Sequence, residues 1–277
     1  MKEFRSNIIK EKRKLRSISQ AQLGDIVGSQ AMVSRIENGQ ILPNAQTIFI
    51  LCSKLEITVE EYFYSIFGPT QNTTIFRSKL NELYLKGNIA ELQKIFSQYK
   101  HHKSLNIETK HRMLMVKSTI YHLSFQLADA TDQNILFSYF DQIINWQLYD
   151  IYLFQATINM LPVKKTKSYF LDILSQYNSE SNVMCYPETI TSIIIIFLET
   201  SIMQKKSDMI IFFLHKLEMK TISLNTNQKL WKLFLTGVYN NNEKKIKEAY
   251  SITEYLNDTD TSQLFNRILS YYNKKND

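Results

Sequence analysis

Residues 19–38 carry side chains of the kinds that read base edges in nucleic acids. Gln30 and Arg35 can hydrogen-bond to bases, while Ala31 and Ser34 are small enough for a helix backbone to come close to them. All four lie on the outward side of one predicted helix, near its amino-terminal end. This composition suits a DNA major groove, with Gln30 and Arg35 as base readers. Arg35 could instead be structural or bind phosphate only.

Further residues suit the phosphate backbone that borders such a groove. Gln20 lies at a predicted helix start, where a carboxamide can reach a phosphate or a neighbouring glutamine. Ser29, at the start of the next helix, also belongs to the predicted DNA-binding set. Lys12 and Arg13 belong to a basic run, because the first 16 residues contain seven Lys or Arg. A solvated face of an amphipathic helix would have the same composition, and the two interpretations are compatible.

Two short helices joined by a tight turn would position these side chains. Ser19 and Ser29 are suited to cap the two helices, and Gly28 permits the turn between them. Each helix also carries an apolar stripe, so the pair can share one small core. The stripes are Leu23, Ile26 and Val27 on the first helix, and Met32, Val33 and Ile36 on the second.

Three sequence motifs connect this pair of helices to a known domain type. Ser-Gln-x-x-Leu, Val-Ser-Arg-Ile-Glu-Asn-Gly and Leu-x-Ile-Thr-Val-Glu-Glu-Tyr-Phe occur in order, and further helices are predicted near 4–16, 45–55 and 59–67. The set resembles the five-helix Cro/repressor type of helix-turn-helix domain, the XRE family. The resemblance implies DNA binding by residues 1–67. A protein-interaction module that has lost DNA binding remains an alternative.

Composition limits the remaining classes. The chain of 277 residues is long enough for two domains, and its net charge of +7 is modest for that length. Two cysteines, Cys52 and Cys185, make neither a disulfide framework nor a zinc site, and Cys52 is expected to be a buried reduced thiol. The longest apolar runs have about six residues and no signal segment is evident, so we expect a cytoplasmic protein without a membrane span.

No pattern of residues indicates catalysis. A Gly-rich phosphate loop and a Ser-His-Asp order are both missing from the sequence. His101 and His102 are adjacent, so on a helix they would point to different faces, and a solvated loop explains them better than a metal. We therefore expect no enzyme activity, no cofactor and no metal.

The rest of the chain predicts a second, helical domain. Gly68, Pro69 and polar residues suggest a linker at 68–74, and the spacing of apolar residues in 75–277 is helical, with few Gly or Pro. About five hairpins would stack as a TPR-like α-solenoid. The predicted helices are 74–86, 88–100, 106–129, 132–146, 148–161, 165–177, 187–204, 206–219, 225–240, 242–256 and 260–273.

A second resemblance concerns this helical domain. The pattern Trp146-x-x-Tyr149-Asp150-x-x-x-Phe154 resembles the Trp-x-x-Tyr-Glu pattern of the Rgg/GadR/MutR regulators, with Asp150 in place of Glu. Residues 243–271 are similar to the closing helices of that family. Residues 1–67, called the head below, also resemble PlcR-type regulators through Ser29-Gln30, Val33-Ser34-Arg35-Ile36-Glu37 and Pro43. The resemblance implies a cytosolic receptor for an imported signalling peptide. Ala45 replaces the cysteine that bridges two heads in several Rgg proteins, so that disulfide should be absent.

One helix of this domain offers a candidate peptide site. On a helical wheel, residues 148–161 place Tyr149, Tyr152 and Asn159 opposite the apolar face. The Asn159 carboxamide can donate to and accept from a peptide backbone, which makes Asn159 the leading contact. Trp146 and Lys229 complete the predicted peptide-binding set. Core packing of Tyr149 and Trp146 is the alternative.

Together these patterns predict a homodimeric transcription regulator. Paired heads would bind an inverted repeat in double-stranded DNA, and a short signalling peptide bound to the repeat domain would alter their spacing or mobility. Two alternatives stay open. One is a helix-turn-helix scaffold that sequesters a partner protein or response regulator, and the other is a phage-type repressor without a peptide ligand.

Overall fold

The computed structural model describes residues 8–67, 73–100, 106–178, 187–218 and 224–274. Within these ranges the regular elements are sixteen α-helices and a short 3-10 turn, with no strand. The all-α prediction is therefore confirmed. Contacts divide the chain into two compact units, Met1–Ser78 and Lys79–Asp277.

The first unit contains the five predicted head helices. Their spans agree with the sequence prediction to within a few residues wherever the chain is described. They are α1 (Ile8–Leu15), α2 (Gln20–Val27), α3 (Gln30–Glu37), α4 (Ala45–Lys54) and α5 (Val59–Phe67).

One apolar core holds these helices together. Leu23, Val33 and Leu51 are completely buried in it, at the contacts between α2, α3 and α4. Cys52 is buried there too, and burial raises the pKa of its thiol, so the predicted reduced state is consistent with its surroundings. Ile26 is 43% exposed, so its predicted place in the core stripe is wrong.

The second unit contains most of the remaining helices, and α6 runs across the boundary between the units. The helices are α6 (Thr73–Leu85), α7 (Ile89–Lys100), α8 (Ile107–Ser124), α9 (Ala130–Phe140), α10 (Leu148–Thr157), α11 (Val163–Asn178), α12 (Pro187–Met203), α13 (Ser207–Glu218), α14 (Thr226–Tyr239), α15 (Glu243–Tyr255) and α16 (Thr259–Lys274). The 3-10 turn, Ile158–Met160, follows α10 directly.

Three predicted helix ends, at 129, 146 and 161, lie more than two residues beyond the observed ends. The helix predicted for 148–161 ends at Thr157, where the 3-10 turn begins. The helix predicted for 106–129 ends at Ser124, because Phe125 has φ +53°, a left-handed conformation that closes the helix. The helix predicted for 132–146 ends at Phe140 and begins at Ala130. Of the predicted linker 68–74, residues 68–72 lie outside the described part of the chain, and α6 already begins at Thr73.

Alternate helices of the second unit form a continuous layer. Helices α8, α10, α12, α14 and α16 contact one another in that order, while α7, α11, α13 and α15 pack beside them. A row of buried aromatic rings joins the hairpins: Phe154 and Phe197 have centroids 5.9 Å apart, and Phe197 stacks on Phe213 at 4.5 Å. This arrangement is the predicted stack of helical hairpins.

The last helix returns to the first helices of the same unit. Arg267 on α16 donates from Nη2 to the Leu85 carbonyl at the end of α6, over 3.0 Å. Gly87 lies beneath this guanidinium, and a Cβ there would come within 1.5 Å of Arg267 Nη1. Tyr271 donates to the Phe125 carbonyl over 3.2 Å. Hydrogen bonds from α16 therefore connect the end of the second unit to segments near its beginning.

Candidate functional site

The turn between α2 and α3 is built by local hydrogen bonds. Ser19 caps α2 by accepting from the Gln22 amide at 3.1 Å, and Gln22 Oε1 accepts from the Ser19 amide at 2.7 Å, which completes a capping box. Gly28 has φ +124°, and Ser29 accepts from the Met32 amide at 3.1 Å to cap α3. Both predicted caps and the predicted glycine turn are confirmed.

Gly24 is a determinant of this turn that sequence reasoning missed. A Cβ on Gly24 would lie 2.3 Å from the backbone nitrogen of Gln30 and 2.6 Å from the Ser29 carbonyl carbon. Because α2 meets the start of α3 at backbone distance, the two helices can hold one fixed angle. The available sign was an isolated glycine inside an otherwise helical pattern.

The outer face of α3 carries the predicted base-reading side chains. Gln30, Ala31 and Arg35 are exposed, and the Arg35 side chain has no hydrogen bond or ion pair among the described residues. Ser34 is half-buried and lies 3.5 Å from the Asn38 side-chain nitrogen. A guanidinium and a carboxamide on an exposed helix can form paired hydrogen bonds with guanine and adenine.

Arg13 occupies a different position from the one predicted. Its guanidinium is buried against Glu37, with Nε 2.5 Å and Nη2 2.9 Å from the two carboxylate oxygens, and Nη1 donates to the Ile18 carbonyl. All three nitrogens therefore bond inside the head, and with the side chain 10% exposed little of the guanidinium is left for a phosphate. This geometry removes Arg13 from the candidate DNA-contacting residues.

Gln20 joins the same buried network. Its Nε2 donates to Glu37 Oε2 over 2.7 Å, so the carboxamide helps to fix α2 against α3. Burial raises the pKa of Glu37, but the bonds from Arg13 and Gln20 outweigh it and hold the pKa below its ordinary value. A contact from the half-buried Gln20 to a phosphate would therefore have to use the second N–H of the same amide nitrogen.

Some basic side chains of α1 bond to other residues of the head, and others remain accessible to solvent. Arg16 pairs with Glu56 at 3.2 Å on the exposed side of the head. Lys14 is exposed and Lys12 is half-buried, so their ammonium groups remain candidates for phosphates.

The second unit contains a cleft of about 430 Å³. Its volume falls within the roughly 300 to 1,000 Å³ of small-ligand pockets. The cleft lies where the end of α8, the 3-10 turn, the end of α12 and α16 come together. Its lining residues are His122, Phe125, Gln126, Leu127, Asn159, Thr200, Met203, Gln204, Lys206 and Tyr271.

Asn159, the leading predicted peptide contact, lines this cleft. It is half-buried in the 3-10 turn, and its Oδ1 accepts from the Thr200 hydroxyl over 3.4 Å. The side-chain nitrogen has no partner among the described residues. Asn159 therefore offers two free N–H donors to an occupant of the cleft.

The other predicted peptide contacts do not line the cleft. Trp146 is 3% exposed and packs against Phe140 and Phe154, which corrects its assignment as a ligand contact. Lys229 is exposed near the start of α14, and Tyr152 is half-buried on α10.

Tyr149 and Asp150, the other members of the Trp-x-x-Tyr-Asp pattern, have structural partners. The Tyr149 hydroxyl is 2.9 Å from Nδ1 of the buried His111. Asp150 accepts from the Tyr139 hydroxyl at 2.6 Å and from the Gln147 amide at 2.9 Å, which fixes the start of α10. The pattern therefore stabilises a helix start and its packing on α8 and α9.

A buried polar network lies under one wall of the cleft, and sequence reasoning missed it. Glu199 Oε1 accepts from the Tyr84 hydroxyl at 2.9 Å and lies 2.7 Å from His122 Nε2. The rings of Tyr84 and His122 stack at 4.3 Å. Burial first, and then the Glu199 charge, raise the pKa of Tyr84 well above its ordinary value. Three helices distant in sequence, α6, α8 and α12, are joined here.

Neither a metal-binding cluster nor a membrane-spanning helix is found among the described residues. No cluster of three potential metal ligands occurs among them, while His101, His102 and Cys185 lie outside the described part of the chain. None of the described helices is long and apolar enough to cross a bilayer.

The fold and these two surfaces define a helix-turn-helix protein with a helical repeat body. Residues 9–62 match the helix-turn-helix family. No curated protein sequence matches the chain.

Solved structures extend the similarity to the whole chain. The SHP pheromone receptor Rgg2 of Streptococcus dysgalactiae has a TM-score of 0.66 at 19% identity, over 96% of this chain and 98% of that one. PrgX in complex with cCF10 gives 0.68 at 15% identity, over 97% and 92%. Bacillus thuringiensis PlcR with the peptide PapR7 and DNA gives 0.55 at 16% identity, over 97% and 96%. At these identities the likeness establishes the fold, and the resemblance to Rgg-type regulators is confirmed at that level.

Proposed function

We propose that this protein is a DNA-binding transcription regulator controlled by a short signalling peptide that binds its helical repeat domain. The observation that carries the proposal is the presence of two surfaces in one chain: an exposed α3 face with Gln30 and Arg35, and a cleft with free donors at Asn159. The fold shared with Rgg2, PrgX and PlcR supports the same combination.

The two surfaces would work through a homodimer. One head offers few base contacts, whereas two tethered heads on adjacent half-sites gain affinity through their high effective concentration. We assign DNA binding to residues 1–67, the linker to 68–74, and dimerisation and peptide binding to 75–277. A peptide that binds one arrangement of the dimer more tightly shifts the population toward that arrangement. The protein would act in the cytoplasm and without catalysis.

The DNA interface is tested with duplexes selected from a random pool by the full-length chain. We expect an inverted repeat, and we expect Arg35→Ala to weaken its binding by about 1 to 3 kcal/mol, the range for one good base contact. Lys12→Ala is the matched control, because a phosphate contact should weaken binding to the operator and to random DNA equally. If Arg35→Ala also weakens both equally, Arg35 is a phosphate contact. If no duplex is enriched, the DNA-reading function is wrong.

The peptide interface is tested with synthetic peptides encoded by short reading frames beside the gene. We expect one of them to change operator binding by the full-length chain. Asn159→Ala should weaken that peptide by about 1 to 3 kcal/mol, because a peptide amide or carbonyl loses its buried partner, while operator binding without peptide stays intact. Thermal melts of the variant control for misfolding. Unchanged peptide affinity in a folded variant would place the peptide elsewhere, for example along residues 225–232.

A further inference from the structure

The lining of the cleft has a one-sided charge. Among the ten lining residues Lys206 is the one Lys or Arg, and none is Asp or Glu. Lys206 is exposed and makes no ion pair among the described residues. The nearby Asp208 is 3.5 Å from Lys164, and the buried Glu199 carboxylate already bonds to Tyr84 and His122. An anionic group on a ligand would therefore complement the charge of Lys206.

Several polar groups of the cleft already have partners inside the protein. Gln204 donates to the Leu161 carbonyl at 3.0 Å and accepts from the Val163 amide at 3.1 Å. The Tyr271 hydroxyl donates to the Phe125 carbonyl. What remains for a ligand near these groups is mostly donor capacity, supplied by the Asn159 amide and the Lys206 ammonium.

The rest of the lining is apolar. Phe125 stacks on Tyr271 with ring centroids 4.3 Å apart, which gives the cleft a rigid aromatic wall. Leu127 is 42% exposed, and Met203, which is 8% exposed, adds part of a flexible thioether side chain to the lining. Such a surface accommodates one apolar side chain and gains free energy by removing it from water.

We propose that the cleft binds the carboxyl-terminal end of a peptide whose last side chain is apolar. Lys206 pairs with the terminal carboxylate, Asn159 donates to the last backbone carbonyl, and the side chain packs between Phe125, Leu127 and Met203. An amino-terminal ammonium would face Lys206 without a carboxylate partner, so the opposite orientation is disfavoured. This inference rests on the proposed function, and it specifies which end of the ligand enters the protein.

The probe is a set of tetrapeptides, acetyl-Gly-Ala-Ala-X, with X as Leu, Ile or Phe. Each peptide is made as the free acid and as the carboxyl-terminal amide, so only the terminal charge changes. Calorimetry with the full-length chain should show that the acid binds about tenfold more tightly than the amide, the size of one charge-assisted hydrogen bond at a partly wet site. The methyl resonance of Met203, assigned with Met203→Leu, should shift when the acid is added.

Two variants identify the group responsible. In Lys206→Gln the ratio of acid to amide affinity should fall to about one. Lys110→Gln removes another exposed lysine of the same unit that does not line the cleft, and it should keep the ratio. Thermal melts verify that both variants are folded.

Three results would overturn the inference: equal binding of acid and amide, a preference that persists in Lys206→Gln, or no binding of either form at millimolar concentration. These results are separate from a failure of the proposed function. A gene-encoded peptide that changes operator binding equally well as acid and amide would refute the carboxylate pairing and leave peptide control intact. If no encoded peptide changes operator binding, peptide control is wrong whatever the tetrapeptides do.

Discussion

Replacing Arg13 should destabilise the head without removing a contact to DNA. The Arg13 and Glu37 side chains are 10% and 0% exposed, and two of their hydrogen bonds are 2.5 and 2.9 Å long. Arg13→Ala would leave the carboxylate buried with one remaining donor, Gln20. Removing one partner of a buried ion pair costs about 3 to 5 kcal/mol, and we expect about 3 because Gln20 still donates.

That loss is large for a unit as small as the head. A change of 1 kcal/mol shifts the midpoint of a domain of 60 to 100 residues by about 4 to 8 °C, so the first thermal transition should fall by about 12 to 24 °C. Differential scanning calorimetry of the full-length chain measures this shift. Operator binding by Arg13→Ala should recover when the temperature is lowered below the new midpoint.

A double variant separates the structural role of Arg13 from phosphate binding. Replacing both partners, Arg13→Met with Glu37→Met, removes the buried charges together, so much of the lost stability should return. Operator binding at 10 °C should then match the unmodified chain. If the double variant is folded but binds all DNA sequences more weakly by the same factor, Arg13 contacts phosphate and the buried assignment is wrong.

The same pair predicts a dependence of stability on pH. Because the folded pKa of Glu37 is depressed, its contribution is present above the ordinary carboxyl pKa of about 4.3 and is lost as the pH falls through the folded value. Urea midpoints from pH 7 to pH 3 should therefore fall less steeply for Glu37→Gln than for the unmodified chain. Parallel profiles for the two proteins would contradict this reasoning.

Three further substitutions test the packing. Gly24→Ala should destabilise the head by about 1 to 3 kcal/mol, although alanine favours helices, because its Cβ meets the Gln30 backbone; an unchanged urea midpoint would contradict this. Trp146→Ala should cost about 3 to 5 kcal/mol by emptying a site in the aromatic core, and a mild effect in chemical denaturation would return Trp146 to the ligand candidates. Tyr271→Phe should lower the free energy of unfolding by about 1 kcal/mol, because the Phe125 carbonyl loses its donor. A variant as stable as the unmodified chain would refute this.

The sequence predicted the helices well because their signs are local. Ser19 and Ser29 cap helices through atoms three residues away, and apolar spacing reports the buried face of each helix. The end of α8 was missed because Phe125 adopts a left-handed conformation, which a bulky residue adopts rarely. Its stacking on Tyr271, 146 residues away along the chain, is a tertiary contact that no local pattern contains.

The candidate sites show the same limit. The helical wheel placed Asn159 on an outward face, and the structure places it in the cleft. Lys206 and Tyr271 could not be joined to it in advance, because the cleft forms where distant helices end. Arg13 illustrates the problem for charge, since an arginine in a basic run has the same sequence appearance whether it faces solvent or a buried carboxylate such as Glu37.

The return of α16 to the start of the repeat domain also orders events during synthesis of the chain. The unit Met1–Ser78 is complete roughly 190 residues before Tyr271, which forms one wall of the cleft, leaves the ribosome. At about 5 to 20 residues per second, this interval lasts about 10 to 40 s. A nascent chain can therefore fold its helix-turn-helix unit before the cleft is complete, and the cleft stays incomplete in a chain that stops before Arg267. Under the proposed function, only molecules whose last helix has docked would respond to a cleft ligand.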